Sequence, residues 1–570
     1  HDAMVRDPRN TITYDEGHAA EIARREEHIG ADGRLAVDAD GSLLRVGLLE
    51  KLLVPALAKL ANFVPDGGIW LNTQRPEWND ANNALAGPGL SMVTLYHLRR
   101  YLDAVGAIID RAGVETATVT GSVAEWLSEV LRILDQHHPD TSRPVDDLER
   151  RLLLDALGYS ATAHRRRARA GTAHAGVDVP ISEVRRLCAV ATAHLDQSIR
   201  SGRRDDGLYH SYNRVSFPTD QTAHVDHLGP MREGQVAVLS SGALDAEASL
   251  AVVDALFASE MYRADQDTFM LYPATELPPF LQRNVVPDEA AERVRKLDSV
   301  DGAITRIFAV DQDDRLHFRP QLVNAAALEA LLDQEGVTDA DRASILAIYE
   351  QVFDHRSFTG RSSSMYGYEG LGSVYWHMVA KLLLAVQETY WTALDRDDPD
   401  HVVVRLADAY RRIRGGLGFR KDPATYGAIP TDCYSHTPAH AGAQQPGMTG
   451  QVKEEVLTRL GELGFRVTDG CAALAPGLIA PSEVFPRDRD GNREPATFSV
   501  CSVLMTIERG PADSVSVLRT DGTRAASQGL ALTPAESQEL FARAGTIERI
   551  DWTIGESTMK RWQHTSAAPR

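Results

Sequence analysis

From about residue 45 to 465 the chain alternates amphipathic helical segments with long polar loops, and this alternation narrows its folds more than any other feature. The spacing of apolar residues predicts helices over 44–60, 90–109, 119–135, 145–168, 181–200, 243–261, 323–333, 339–353, 373–392, 402–414 and 452–463. Within 373–392, Val374, Met378, Val379, Leu382, Leu383 and Val386 recur mostly at three and four residues, which is a buried stripe at helical period. The loops 205–229, 270–287, 356–372 and 415–450 are long for mere connectors. Paired helices with elaborate loops fit a mainly α fold, an (α/α)6-barrel-like toroid whose loops build a pocket at one end. A solenoid of repeats competes, but no sequence period supports it.

The last hundred residues differ. Residues 497–507 are rich in strand formers, 514–519 follow, and Asp521-Gly522 signals a turn. The expected organisation is an N-terminal extension (1–44), a helical catalytic domain (45–474) and a small β-rich appendage (475–570) with a short helix near 534–544. The seam falls at the Gly/Pro-bearing stretch 475–481.

Bulk chemistry removes several classes of partner. The net charge of −20 argues against nucleic acid or an anionic membrane. The basic run 164–169 lacks interleaved aromatics and reads as a solvated face. Cys188, Cys433, Cys471 and Cys501 are scattered without a CxxC pair, so no metal site is expected and a reducing, cytoplasmic compartment fits. No run has the length of a membrane span. The start, His1-Asp2-Ala3-Met4, shows no secretory signal and leaves room for a removed leader or upstream domain.

The densest chemistry lies in Arg75-Pro76-Glu77-Trp78-Asn79-Asp80-Ala81-Asn82-Asn83. A Trp face stacks on a sugar ring, Asn side chains meet hydroxyls, and a carboxylic acid protonates a glycosidic oxygen. Asp80 is the candidate acid with Glu77 as its fallback, and Arg75, Trp78, Asn79 and Asn83 are candidate substrate contacts. The competing reading is a polar helix cap. A second cluster, 358–370, offers Thr359, Gly360, Arg361 and Ser362 for an anion such as phosphate ahead of a helix, with Tyr366 and Tyr368 for substrate. It also carries Glu369, a candidate second carboxylate; a serine-rich cap is the alternative. A third, 433–448, holds His436, His440, Gln444 and Gln445. Pro438 keeps the two histidines off a common helix face, so hydrogen bonding to substrate or phosphate is favoured over metal. Weaker clusters at 206–213, 262–267 and 276–280 mix aromatics with polar groups, as sugar subsites and packing loops both do.

Two of these motifs carry a resemblance. Trp78-Asn79-Asp80-Ala81-Asn82-Asn83 resembles the Trp-Asn-Asp-x-x-Asn motif of cellobiose and chitobiose phosphorylases (glycoside hydrolase family 94), and 359–366 resembles that family's Thr-Gly-Ser-x-x-x-Met-Tyr loop. The resemblance implies an (α/α)6 barrel, Asp80 as general acid, and inorganic phosphate as the inverting nucleophile, touched by Thr359 and Gly360. It implies no cofactor beyond phosphate as co-substrate. Glu77 stands where the family usually has Asp, and Arg361 where it has Ser.

The expectation is an inverting enzyme that cleaves or forms a glycosidic bond, by phosphorolysis or else by hydrolysis with Glu369 as base. A non-catalytic carbohydrate-binding or scaffold protein is the third reading. The expected partner is an oligosaccharide or glycoside, with homo-oligomerisation left open.

Overall fold

The computed structural model describes residues 1–8, 11, 14–37, 41–72, 85, 87–139, 142–169, 175–273, 280–297, 302–354, 358–359, 365–366, 376–419, 452–486 and 494–566. The described chain is mainly helical with several small sheets. Helices of the helical body are numbered α1 (Leu48–Leu60), α2 (Met92–Ala112), α3 (Gly121–Gln136), α4 (Asp147–Arg169), α5 (Ile181–Ser201), α6 (Arg232–Leu239), α7 (Ala246–Ala258), α8 (Trp376–Asp395), α9 (Asp400–Arg414) and α10 (Val452–Glu462). Other helices are given by their residues.

Local chemistry explains the helix ends. Ser91 caps α2 by accepting from the Thr94 N–H at 3.0 Å, and Gly113 ends it in the left-handed region at φ 63°. The inward face of α2 is Met92, Leu95, Tyr96, Leu98, Leu102, Val105 and Ile109, spaced at helical period. On α8 the expected stripe is buried: Val379, Leu382, Leu383 and Val386 are all core residues. They join a continuous cluster that runs from Leu53 to Leu417 and also takes in Leu478.

An antiparallel sheet lies across the start of α2. Its strands are β1 (Phe63–Val64), β2 (Gly68–Trp70), β3 (Gly89–Ser91), β4 (Tyr212–Ser216) and β5 (His224–His227), in that order. Register pairs Trp70 with Leu90, Leu90 with Asn213, and Asn213 with His227. The β1–β2 turn needs glycine: Gly68 sits at φ 125°, and a Cβ there would lie 2.7 Å from the Ser91 carbonyl carbon.

Residues 286–352 form a core of their own inside the helical region, around Phe308, Phe318, Leu328, Leu332, Ile345 and Tyr349. Phe318 stands edge-on to Tyr349 at 4.9 Å. The two ends of this module approach through Arg283 and Asp354 at 3.9 Å.

The tail packs a third core, from Phe465 to Trp562. Its sheet orders the strands Ala496–Val500, Val503–Arg509, Ile547–Ile554, Ser514–Arg519 and Arg524–Gln528. The run of strand formers over 497–507 is a hairpin: Cys501 and Ser502 take φ 52° and 67°, the pair of positive values a two-residue type I′ turn needs. Helix Pro534–Ala542 opens with a capping box between Thr533 and Glu536. The tail is fastened to the body by Arg414–Glu483 at 2.9 Å and by Arg411 donating to the Thr565 carbonyl at 3.1 Å.

Candidate functional site

The residues of the sequence motifs lie mostly outside the described residues. This holds for Arg75, Glu77, Trp78, Asn79, Asp80, Asn83, Gly360, Arg361, Ser362, Tyr368, Glu369, His436, His440, Gln444 and Gln445. Thr359 and Tyr366 are placed by backbone alone, in a two-stranded ladder that pairs Thr359 with Met365 and Phe358 with Tyr366. What is described is where each motif's chain leaves and re-enters the fold.

The segment 73–84 spans β2 and β3, and its base is closed. The Gly87 N–H donates to the Leu71 carbonyl at 2.9 Å, the Leu71 N–H donates to the Gly89 carbonyl at 2.8 Å, and the Trp70 indole donates to the Gly87 carbonyl at 2.7 Å. The chain then runs straight into α2. Segment 367–375 leads into α8, and segment 420–451 leads from the π-helical turn Gly415–Phe419, which continues α9, into α10.

These helices share a direction. At their first turns Ser211 ties α2 to α6: its carbonyl accepts from the Met92 N–H at 2.9 Å, and its hydroxyl accepts from the Gly234 N–H at 2.9 Å. Farther along, Arg99 and Arg100 of α2 donate to the Ser241 and Ser240 carbonyls just past the end of α6. Arg100 also forks onto Glu388 of α8 at 2.8 and 2.9 Å. Between α8 and α10, His377 meets Glu454 near both starts, and Gln387 donates to the Thr458 carbonyl at 3.0 Å farther along. The starts of α2 and α6 therefore adjoin, as do those of α8 and α10; His97 of α2 lies within charge reach of Lys381 near the start of α8, and Arg100 reaches Glu388 farther along, so the two pairs run in the same sense. The motif at 75–83 and those at 359–369 and 433–448 all enter the body at this end. So does the hairpin 262–269: the Arg232 guanidinium at the start of α6 donates to the Phe269 carbonyl, and the Arg232 N–H donates to the Leu271 carbonyl at 2.8 Å.

The described surroundings at this end are charged and aromatic. Leu85, Tyr212, Met231 and Tyr272 form a small core under the root of segment 73–84, flanked by Leu71. On its rim the Tyr212 hydroxyl donates to Glu233 Oε2 at 2.8 Å. His210 is stacked on His227 at 4.1 Å and 12° between rings. Burial, and then the neighbouring His227, push the His210 imidazole down to about 4. Tyr262 donates to Asp267 at 2.6 Å and accepts from Arg412 at 2.9 Å. His377 and Glu454, 6% and 2% exposed, face each other at 3.4 Å, with Lys453 3.7 Å from the same carboxylate. Burial and then Lys381 lower the His377 imidazole, against which Glu454 raises it.

Of the weaker clusters, 206–213 is largely structural: Asp206 pairs with Arg204, and Tyr209, Ser211 and Asn213 are buried hydrogen-bonding hubs. In 262–267, Tyr262, Arg263, Asp265 and Asp267 pair among themselves, and 276–279 lie outside the described residues. The basic run closes α4, where Arg167 pairs with Glu125 at 3.0 Å. Glu233, His377, Lys381 and Glu454 escaped the sequence reading. Their only signal was a polar residue at the opening turn or on the inward side of an apolar helix. Among the described residues no cluster of three or more His, Cys, Asp or Glu could hold a metal ion, and no helix is long and apolar enough to cross a membrane.

A cavity of about 370 Å³ opens at the far end of the same helices, lined by Arg100, Leu239, Glu388 and Trp391. It is remote from the loop roots.

Residues 277–356, which enclose the separately packed module, match the family model described as GH149 phosphorylase insertion domain 2. This points to a carbohydrate-active enzyme, and it does not single out family 94. No curated protein matches the chain. A solved cellobiose 2-epimerase from Bacillus thermoamylovorans B4167 aligns over 72% of this chain and 97% of its own, at 9% identity and a TM-score of 0.19. At that score the likeness carries no weight.

Proposed function

We propose that the chain is an inverting glycoside phosphorylase built on an (α/α)6-barrel-like helical body. Asp80 protonates the departing glycosidic oxygen while inorganic phosphate attacks the anomeric carbon from the opposite face. Phosphate lies against Thr359, Gly360, Arg361 and Ser362 with His436 or His440, and the sugar against Arg75, Trp78, Asn79, Asn83, Tyr366, Tyr368, Gln444 and Gln445. The observation that carries this reading is the common end at which all three motif-bearing segments enter parallel helices. Helix N-termini present unpaired N–H groups and the positive end of the macrodipole, which favours an anion there. The phosphorylase insertion-domain match at 277–356 supports the same reading.

Hydrolysis is the second reading, with Glu369 as base. The buried carboxylate of Glu454 at this end favours it, since a phosphate dianion is repelled by a nearby carboxylate. The test is a panel of oligosaccharides and glycosides incubated with and without inorganic phosphate, followed by ³¹P NMR. A glycosyl phosphate of inverted configuration supports phosphorolysis. Free sugar in phosphate-free buffer selects hydrolysis.

A further inference from the structure

A second cavity of about 370 Å³ lies between the end of α3, the start of α4, the last turns of α5 and the turn from β1 to β2. That is room for about ten waters, and it falls in the size range of small-molecule pockets. Its buried polar wall is His194, Gln197 and Ser198 of α5, and Pro65, Pro139 and Pro144 bring apolar rings to it. His194 is 4% exposed, and its Nε2 lies 3.0 Å from the Leu134 carbonyl, so Nε2 must hold the ring proton. Burial lowers the pKa of this imidazole against the opposing Leu134 hydrogen bond, and His137 and His138 lower it further. The ring is therefore neutral, and Nδ1 keeps a lone pair to which nothing donates among the described residues. A buried acceptor left without a donor is costly unless water or a ligand meets it.

The charges around the cavity are matched. Arg143 on its rim forks onto both oxygens of Glu149 at 2.8 and 2.6 Å. Behind the wall, Asp66 accepts from the Val145 N–H at 2.8 Å, and its own N–H donates to Ser198 Oγ at 3.0 Å. Arg150 lies against the same turn and donates to the Pro65 and Val145 carbonyls at 2.9 and 2.6 Å. The other Asp66 oxygen, Oδ1, has no donor among the described residues, so the buried groups here are short of donors rather than of acceptors. An uncharged ligand rich in hydroxyls, with C–H faces for the proline rings, meets all three conditions. An ammonium ion also donates, but it would bring its charge towards Arg143.

We propose that this cavity is a regulatory site for a monosaccharide, separate from the segments that carry the catalytic motifs, with His194 Nδ1 accepting from a sugar hydroxyl. The choice of a sugar among hydroxyl-rich molecules rests on the carbohydrate reading of the chain; the cavity and its unmet acceptor do not. The place of the cavity gives its occupancy a consequence. The end of α5 meets the start of α2, where a Cβ on Gly202 would lie 2.9 Å from the Met92 side chain. Pro65 and Asp66 form the turn between β1 and β2, and Asn213 of β4 donates to the Gly67 carbonyl in the same turn at 2.8 Å. The next strand, β2, leads into segment 73–84. A ligand held between Pro65 and α5 braces that turn, and with it the root of the segment.

The experiment titrates the whole chain with D-glucose, D-galactose and N-acetyl-D-glucosamine, with methylammonium and sulfate as charged controls. Calorimetry reads affinity, and hydrogen–deuterium exchange reads peptides covering 61–71. At least one sugar should bind with a Kd of about 1 mM or tighter and slow exchange there. His194→Gln keeps a donor for the Leu134 carbonyl and removes the Nδ1 acceptor, so affinity should fall about three- to tenfold, the worth of one neutral hydrogen bond. His138→Trp, at an exposed rim position, should block the cavity and abolish the protection without touching the buried wall. A sugar bound at the Asp80 segment instead would be indifferent to both variants. No sugar binding, or binding unchanged in both variants, overturns the inference and leaves phosphorolysis to its own test. Binding of methylammonium or sulfate in place of sugars overturns the ligand class. Sugar binding that both variants weaken, in a chain without phosphate-dependent turnover, upholds the cavity while the phosphorylase reading falls.

Discussion

Replacing Ser211 by Ala should loosen the junction on which the candidate site is built. The Ser211 side chain is fully buried and makes both of its hydrogen bonds at the start of α6, while the Ser211 carbonyl, which the change keeps, accepts from the Met92 N–H of α2. Its hydroxyl donates to the Met231 carbonyl at 2.9 Å and accepts from the Gly234 N–H at 2.9 Å. Met231 keeps a second donor, the Gln235 amide at 3.0 Å, so its carbonyl is not orphaned by the change. The Gly234 N–H lies in the opening turn of α6, has no intrahelical acceptor, and is left buried and unpaired. One lost bond and one orphaned donor together cost about 2–3 kcal/mol. At 1.36 kcal/mol per tenfold, local opening of α6 should become about 30- to 150-fold more frequent. Hydrogen–deuterium exchange of peptides covering Arg232–Leu239 reads this directly, with Ile181–Ser201 as internal control. Gly234→Ala should act in the same direction, since its Cβ would lie 2.2 Å from the Ser211 hydroxyl. A change below about threefold in either variant would show that the Ser211 hydroxyl does not hold the start of α6.

Three other outcomes follow from the same geometry. His210 titrates near 4 in the fold against about 6.5 when unfolded, so the unfolded chain binds more protons between those values. Stability should fall as pH drops from about 6.5 through about 4 and level off below, and His210→Asn should flatten that slope in denaturant titrations at stepped pH. Phe318→Ala should cost about 3–5 kcal/mol within the 286–352 module, raising exchange there while α2 stays protected; an equal rise in α2 would refute a separately packed module. Arg466→Ala removes a two-bond ion pair to the exposed Asp395 and a guanidinium lying 4.6 Å from the Trp391 ring centre, so the melting transition should move by no more than about 2 kcal/mol allows.

The sequence exposed the long helices because their burial is one-sided. Asp339–Phe353 appears with the predicted bounds, and 373–392 is displaced by only three residues to Trp376–Asp395. Ser91 and Gly113 frame α2 with ordinary capping chemistry, two residues inside and three beyond the expected ends. Elements buried on all sides were not legible. Nearly every residue of α6, from Arg232 to Leu239, is buried, so it has no polar face to set a period. The strands of the antiparallel sheet run two to five residues, too short for alternation to show. The module at 286–352 reads as more helix in the same region, because nothing local says that its apolar faces close on one another. The clusters of sugar-compatible side chains were visible as composition. Their entry at one end was not, because it depends on Ser211, Arg100 and the His377–Glu454 pair, which act across 23 to 288 residues of sequence.

One measurement tests the roles of Asp80 and phosphate together. Turnover of the best substrate found in the phosphate panel should be compared between the wild type and Asp80→Asn, with phosphate varied in each. If Asp80 donates the proton in phosphorolysis, the wild type saturates with phosphate, while Asp80→Asn loses about 10²- to 10⁴-fold in kcat with little change in the KM for phosphate. Undiminished turnover in Asp80→Asn, or a wild-type rate indifferent to phosphate, would contradict the account.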